Sequence, residues 1–317
     1  MTLRVRPPTA ADAAAVAALG NAFEQAMAGE EADAWSETEV VREWATLADP
    51  ARDAWLIERD GAAAGYATLR DEREGVFEAD GYVHPEHAGH GVGARLLTLT
   101  EARADELAEA PPGERAVLRN AVLYADVPAR ALLESRGYRP VRSFLRMRID
   151  LDGPPPPPRW PDGVVVGPFR PGIDDAEVHD CLEETFAREW THTSETLAAW
   201  RERKLWDPRF DPGLWLVARA GGEVCGIALC TPGQFEVGFV NTLGVRAPWR
   251  RRGLGLALLH AAFGLFWVRG ERRVALGVDA ENPTDAKRLY ERAGMRAAWR
   301  ADVYEKDLRG QAPRTRQ

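Results

Sequence analysis

The sequence predicts an α/β protein made from one structural unit used twice. Three observations lead there. A strand, a glycine-bearing loop and a long helix occur around Val76–Leu97 and again around Val237–Leu259. The spacing repeats: Val83 to Gly91 and Val245 to Gly253 each span eight residues, and Gly93 and Gly255 follow two residues later. Between the copies lies Gly153–Pro158, with five consecutive prolines. Such a run is a semi-rigid polyproline segment that can continue neither a helix nor a central strand. The expected domains are residues 1–152 and 161–308, with a linker at 153–160 and a disordered tail at 309–317.

Each element has a local reason. Leu3–Arg6 alternates and meets Pro7-Pro8, so a strand stops there. Thr9 can cap a helix to about Met27, and a second helix is expected over Thr38–Leu47. Ala54–Glu58 and Gly65–Leu69 read as strands joined at Asp60-Gly61, a hairpin signal. Val76–Val83 is a strand, and its loop leads into a helix to Ala108. Ala116–Leu118 is a strand, and Gly137 stops a helix over Pro128–Arg136. Tyr138–Asp150 closes the first half. The second half repeats the order: strand Val164–Phe169, helix Asp174–Trp190, and helix Ser194–Leu205 with Ser194 as cap. A hairpin through Gly221-Gly222 follows. After the second loop come helix Leu254–Val268, strand Arg273–Val278, helix Pro283–Ala293 and a strand pair over Met295–Lys306.

Composition narrows the class. A 317-residue chain that is 45% hydrophobic and 28% charged suits about two globular domains. A net charge of −8 argues against general nucleic-acid binding. Cys181, Cys225 and Cys230 form no disulfide framework, and their sparse use points to a reducing cytoplasm. Met1–Val16 lacks the pattern of a secretory signal. The most apolar run, Leu254–Val268, is shorter than the roughly 20 residues of a membrane span and contains His260. Neither a membrane nor a metal is expected as a partner.

The second loop carries the chemistry. A strand ending at Val245, a basic turn and a helix start make an anion site, because the first helical N–H groups lack partners and the helix dipole adds positive charge. Arg250, Arg251 and Arg252 add cations, while Gly253 and Gly255 keep the backbone approachable. No Lys-Ser/Thr follows the glycines, which excludes a P-loop. Leu256-Ala257-Leu258 lacks the third glycine of a dinucleotide fingerprint.

What remains, R-x-x-G-x-G after a strand ending V-x-x-P, resembles the coenzyme A loop of the GNAT N-acetyltransferase family. Asn282 to Met295 resembles that family's second hallmark, N-x-x-A-x-x-L-Y-x-x-x-G-[FM]. The resemblance implies two tandem domains, each a mixed, mostly antiparallel sheet flanked by helices. It implies acetyl-CoA as co-substrate and a primary amine of a small molecule or peptide as acceptor. It also implies that Leu243, Gly244 and Val245 meet the pantetheine arm. Arg250, Arg251, Arg252, Gly253, Leu254 and Gly255 hold the pyrophosphate, with Asn282 and Lys287 nearby, and Tyr290 serves the sulfur. Glu236 is the candidate base, acting through water, with His192, Asn241 and Thr242 as alternatives.

The first half departs from the pattern. Ala88 and His90 stand where Arg250 and Arg252 stand, while Gly89, Gly91 and Gly93 remain beyond Val83. Aligning Gly137 with Gly294 sets Leu133 opposite Tyr290 and Ala125 opposite Asn282. Weak cofactor binding without catalysis is expected there. His84, His87 and His90 lie across the turn, so a degenerate phosphate loop is preferred to a metal site. Tandem members of the family include enzymes that acetylate a glucosamine-derived thiol precursor. Size and layout here are similar, but Phe239 stands where a glutamate of those enzymes is expected. A non-catalytic acyl-CoA-binding module is the rival from another class.

Overall fold

The computed structural model describes residues 3–29, 32, 34–72, 75–108, 115–190, 192–234, 237–281 and 286–308. The chain divides into two compact units, Met1–Phe144 with Trp299–Gln317, and Leu145–Ala298.

The first unit opens with β1 (Leu3–Arg6), α1 (Ala13–Ala28), α2 (Glu37–Trp44) and α3 (Pro50–Asp53). Ser36 and Glu39 form a capping box at the start of α2, which fixes where that helix begins. The hairpin β2 (Ala54–Arg59) and β3 (Ala62–Asp71) turns at Asp60 and Gly61, with φ of 53° and 85°. Both turn residues are left-handed, as the right-handed strand twist demands of a two-residue turn. Next come β4 (Val76–Val83), α4 (Val92–Leu107), β5 (Val117–Leu123), α5 (Val127–Ser135) and β6 (Arg139–Asp150).

The second unit holds β7 (Val164–Pro168), α6 (Asp175–Phe186), α7 (Leu197–Leu205), β8 (Trp215–Ala220), β9 (Glu223–Gln234), β10 (Val237–Val245), α8 (Leu254–Val268), β11 (Arg273–Asp279) and α9 (Ala286–Arg292). The chain ends in β12 (Arg296–Asp307), one continuous strand where a pair was expected. Helix α8 is apolar nearly all round and is buried accordingly, with Leu258, Leu259, Phe263 and Phe266 at 0% exposure. Gly226 of β9 lets it in: a Cβ there would stand 3.1 Å from Leu254 and 3.2 Å from Leu258.

Sheet order in the first unit is β1-β2-β3-β4-β5-β12, and in the second β6-β11-β10-β9-β8-β7. From Leu145 onward β6 belongs to the second unit, and from Trp299 onward β12 belongs to the first. Residues Ala301–Asp307 pair antiparallel with Leu123–Val117. Glu305, nearly buried, accepts Arg115 at 2.7 Å and Arg119 at 3.0 Å, and the Tyr304 hydroxyl donates to Glu134 at 3.0 Å. Residues 153–160, the expected linker, lie inside the second unit. The expected tail at 309–317 lies outside the described residues.

Several helix boundaries differ from expectation, among them the end of α2 at Trp44 and not at Leu47. Helix α6 ends at Phe186 and not at Trp190, where Glu189 N–H turns back to the Phe186 carbonyl. Helix α7 is capped by Thr196, whose hydroxyl accepts the Ala199 N–H at 3.2 Å. Ser194 is not the cap, because its hydroxyl donates to Glu183 of α6 at 2.5 Å.

Candidate functional site

In the second unit β10 is hydrogen-bonded to β9 as far as Val245↔Gly226. Its parallel ladder with β11 holds only Gly238↔Val274 and Phe239↔Ala275. Beyond Phe239 the ladder ends, so Leu243, Gly244 and Val245 have no ladder partner on β11. A register shift between Val240 and Thr242 makes Asn241 a bulge residue at the start of that stretch.

The loop after β10 passes through a helical turn at Ala247–Trp249 and delivers α8. Arg251 sits at φ 60° and Gly253 at φ 88°, both left-handed. Gly253 is the N-cap of α8 and no side chain caps it, so the first-turn N–H groups are available to an anion. A Cβ on Gly253 would meet nothing within 4 Å, so glycine is required there by its φ. Gly255 has a second reason to be glycine: its Cβ would stand 3.1 Å from Leu289 of α9. Leu254 points inward and anchors the turn, at 1% exposure.

The Arg250 guanidinium donates to the Val245 carbonyl at 2.9 Å, and Arg252 lies over the Trp249 ring at 5.0 Å. Among the described residues no carboxylate pairs with Arg250, Arg251 or Arg252. Three uncompensated cations beside an uncapped helix start fit a polyphosphate. Lys287 lies on the exposed face of α9, 3.7 Å from Glu291.

Tyr290 is buried on α9 at 8% exposure. Burial, with the Glu189 charge added, pushes its pKa up to about 12. It therefore holds its proton at neutral pH and can donate it, but cannot serve as a base there. Asn282 and Glu236 lie outside the described residues. Of the alternative bases, His192 Nε2 stands 3.3 Å from Glu183 Oε2, Asn241 accepts from the Thr231 hydroxyl at 2.9 Å, and Thr242 is buried.

The first unit repeats the scaffold. The β4–β5 ladder ends at Ala79↔Asn120, short of Val83. Gly89 and Gly91 have φ of 75° and 80°, and Gly91 is the uncapped start of α4. A Cβ on Gly93 would stand 3.6 Å from Leu132, the counterpart of Leu289. The chemistry is not repeated. Leu133, buried, stands opposite Tyr290. His90 Nδ1 is 2.9 Å from the Ala88 carbonyl. Where the second unit has Thr242, the first has Asp80, ion-paired to Arg70, which also bonds Glu43.

The three cysteines are buried. Burial raises the thiol of each, Cys181 to about 11, so none supplies a thiolate nucleophile.

A site that no motif announces lies on the α7 side of the sheet. Lys204, Asp207, Arg209, Phe210, Trp215 and Thr231, with Leu229 and the bulge residue Asn241, line a cavity of about 40 Å³.

Two strand pairs that part before a glycine-started, uncapped helix give the chain the tandem layout of an acetyltransferase fold. The Acetyltransferase (GNAT) family model matches residues 18–138 and 176–295, and the chain belongs to that family. A protein of Salinispora arenicola named "Mycothiol acetyltransferase" is 35% identical over 317 residues, 95% of this chain and 94% of the relative. One of that name from Geodermatophilus obscurus is 35% identical over 254 residues, 77% of this chain and 79% of the relative. A GCN5-related N-acetyltransferase from Sphaerobacter thermophilus superimposes with a TM-score of 0.86 at 36% identity, covering 98% of this chain and 97% of that one. A tandem GNAT protein from the clavulanic acid biosynthesis pathway shares the fold, with a TM-score of 0.69 at 20% identity over 98% of this chain and 100% of that one.

Proposed function

We propose that the second unit transfers an acetyl group from acetyl-CoA directly to a primary amine of a small molecule. The observation that carries the reading is the opening of β10 from β11 beside an uncapped α8, with Tyr290 protonated on the adjoining α9. Acetyl-CoA brings an activated thioester. In this reading the Leu243–Val245 edge binds the pantetheine arm. The loop Arg250–Gly255 holds the pyrophosphate, assisted by Asn282 and Lys287. Glu236, through water, takes the proton the amine loses, and Tyr290 gives a proton to the departing sulfur. The first unit keeps a glycine loop (Gly89, Gly91, Gly93) beyond Val83 that suits weak cofactor binding, without a counterpart of Tyr290. Among the described residues no helix is long and apolar enough to cross a membrane, and we place the work in the cytoplasm.

A second reading takes the acceptor to be the glucosamine-derived thiol precursor of mycothiol. Identity of 35% along nearly the whole length to a relative of that name favours it. Phe239, packed under Arg146 at 4.5 Å, replaces the glutamate expected there and weighs against it. Calorimetric titration with acetyl-CoA, followed by thiol release with amines, tests both. One site per chain and release with an amine support the proposal. Binding without release from any amine leaves a non-catalytic acyl-CoA-binding module, and no binding removes the acetyltransferase reading.

A further inference from the structure

We infer that the cavity under α7 is a subsite for a carboxylate on the acceptor, with Lys204 as its counter-ion. The inference rests on the acetyltransferase reading above and specifies the acceptor class. Lys204 is at the end of α7 and lines the cavity, and it has no hydrogen-bond or ion-pair partner among the described residues. The other two charges there cancel, since Arg209 is clamped to Asp207 at 2.8 and 3.1 Å. Among the described lining residues one positive charge, that of Lys204, has no ion-pair partner, which suits a monoanion. A dianionic phosphate would meet the Asp207 carboxylate.

The walls strengthen that preference. Phe210 and Trp215 pack edge to face at 4.8 Å, and the Trp215 N–H is already spent on the Cys230 carbonyl at 3.0 Å. Apolar walls make an ion pair stronger and an unpaired cation costlier. The lysine shows that cost: burial first, then the Arg203 charge, brings its pKa down to about 8 despite Glu195 and Asp207. An entering carboxylate relieves it. The volume, about 40 Å³, is the room of a few waters and takes an end group, not a whole acceptor. Thr231 and Asn241 border the same cavity, and Asn241 is the bulge of β10, so a molecule anchored on Lys204 extends toward the splayed strands. The Thr231 hydroxyl is engaged by the Asn241 carbonyl oxygen, which leaves the Asn241 amide N–H groups to the ligand.

The chain has three lysines, Lys204, Lys287 and Lys306, so carbon-13 reductive methylation yields few enough signals to follow each. Lys204→Arg assigns the first. Titration with glycine, β-alanine and 4-aminobutyrate should shift the Lys204 signal and raise its pKa, while methylamine, ethylamine, propylamine and glucosamine should not. In the acetyl-CoA assay kcat/KM for the best amino carboxylate should exceed its decarboxylated partner by roughly 10- to 100-fold. Lys204→Met should bring that ratio near one, and Lys204→Arg should keep a preference. A Lys204 signal indifferent to all three carboxylates overturns the inference. So does a response to inorganic phosphate alone, or better turnover of glucosamine than of any amino carboxylate. Failure of acetyl-CoA to bind in the calorimeter strikes the underlying reading instead, and the methylation titration reads the subsite independently of it.

Discussion

Gly255 and Leu289 bring α8 and α9 together closely: a Cβ on Gly255 would stand 3.1 Å from Leu289 Cδ2, tight enough that the leucine would have to give way. Leu289 immediately precedes Tyr290, so the start of α8 and the position of the tyrosine are one mechanical unit. Gly93 and Leu132 repeat the contact in the first unit, more loosely. Gly255→Val should therefore force α9 outward, lowering stability by about 1–3 kcal/mol. It should also lower kcat by more than that loss explains. Denaturant unfolding and steady-state kinetics on one preparation check both. An unchanged kcat would uncouple the helix contact from the chemistry.

On the proposed mechanism Tyr290→Phe removes only the proton donor, so it should reduce kcat by roughly 10- to 100-fold with little change in the KM for acetyl-CoA. The pH profile carries the sign. The folded tyrosine titrates near 12, above its ordinary 10, so the wild-type enzyme keeps the donor through alkaline pH. The raised value stabilises the fold fully below pH 10, and that contribution fades as pH rises from about 10 to 12. Tyr290→Phe should lose this fall. Equal kcat in both proteins across the pH range would remove Tyr290 from the mechanism.

Gly253 occupies φ 88° at the mouth of the anion site. Gly253→Ala should cost about 1 kcal/mol in stability through backbone strain and bind acetyl-CoA slightly less well. Gly253→Glu adds a negative charge against the helix start and should weaken binding at least about 100-fold by calorimetry. Similar affinity in the two variants would mean that the phosphates bind elsewhere.

Glu183 ties the segment after α6 to that helix, accepting Ser194 at 2.5 Å and facing His192 at 3.3 Å. Burial raises its pKa, but the Ser194 hydroxyl and His192 outweigh burial and leave it below the usual value of 4.5. A depressed carboxylate stabilises the fold above the unfolded pKa and loses that contribution as pH falls through the folded one. The stability gap between wild type and Glu183→Gln should be full near pH 6 and close below about 4.5. A gap that does not vary with acid pH would show the contact to be energetically idle.

Lys204 has the opposite linkage. Its folded pKa of about 8 lies below the ordinary lysine value of 10.5, so folding is opposed at neutral pH and the penalty lifts between 8 and 10.5. Lys204→Met should be more stable than wild type at pH 7, with the difference shrinking toward pH 10.5. Chemical denaturation at several pH values measures it, and a less stable variant would mean that the lysine has a counter-ion.

Much of this protein is readable one segment at a time. The Asp60-Gly61 turn and Gly137 beyond α5 act within a few residues, through backbone sterics and local hydrogen bonds. The loop Arg250–Gly255 and the run to Tyr290 are equally local, which is why the family and the asymmetry between the halves could be read from residue spacing. Ser194 shows the limit. Its sequence context suits a cap, but a carboxylate eleven residues earlier claims its hydroxyl.

The sequence by itself determined the repeated strand–loop–helix unit and the acetyltransferase family. Only the tertiary structure decided that β12 pairs with β5, that the β10–β11 ladder stops at Phe239, and that Lys204, without an ion-pair partner among the described residues, lines a cavity with Phe210 and Trp215. The reason is physical. Periodicity and capping are set by neighbours in the chain, whereas strand partners such as Ala301 and Leu123, and the charges left over in a pocket, are set by residues that meet only when the sheets close.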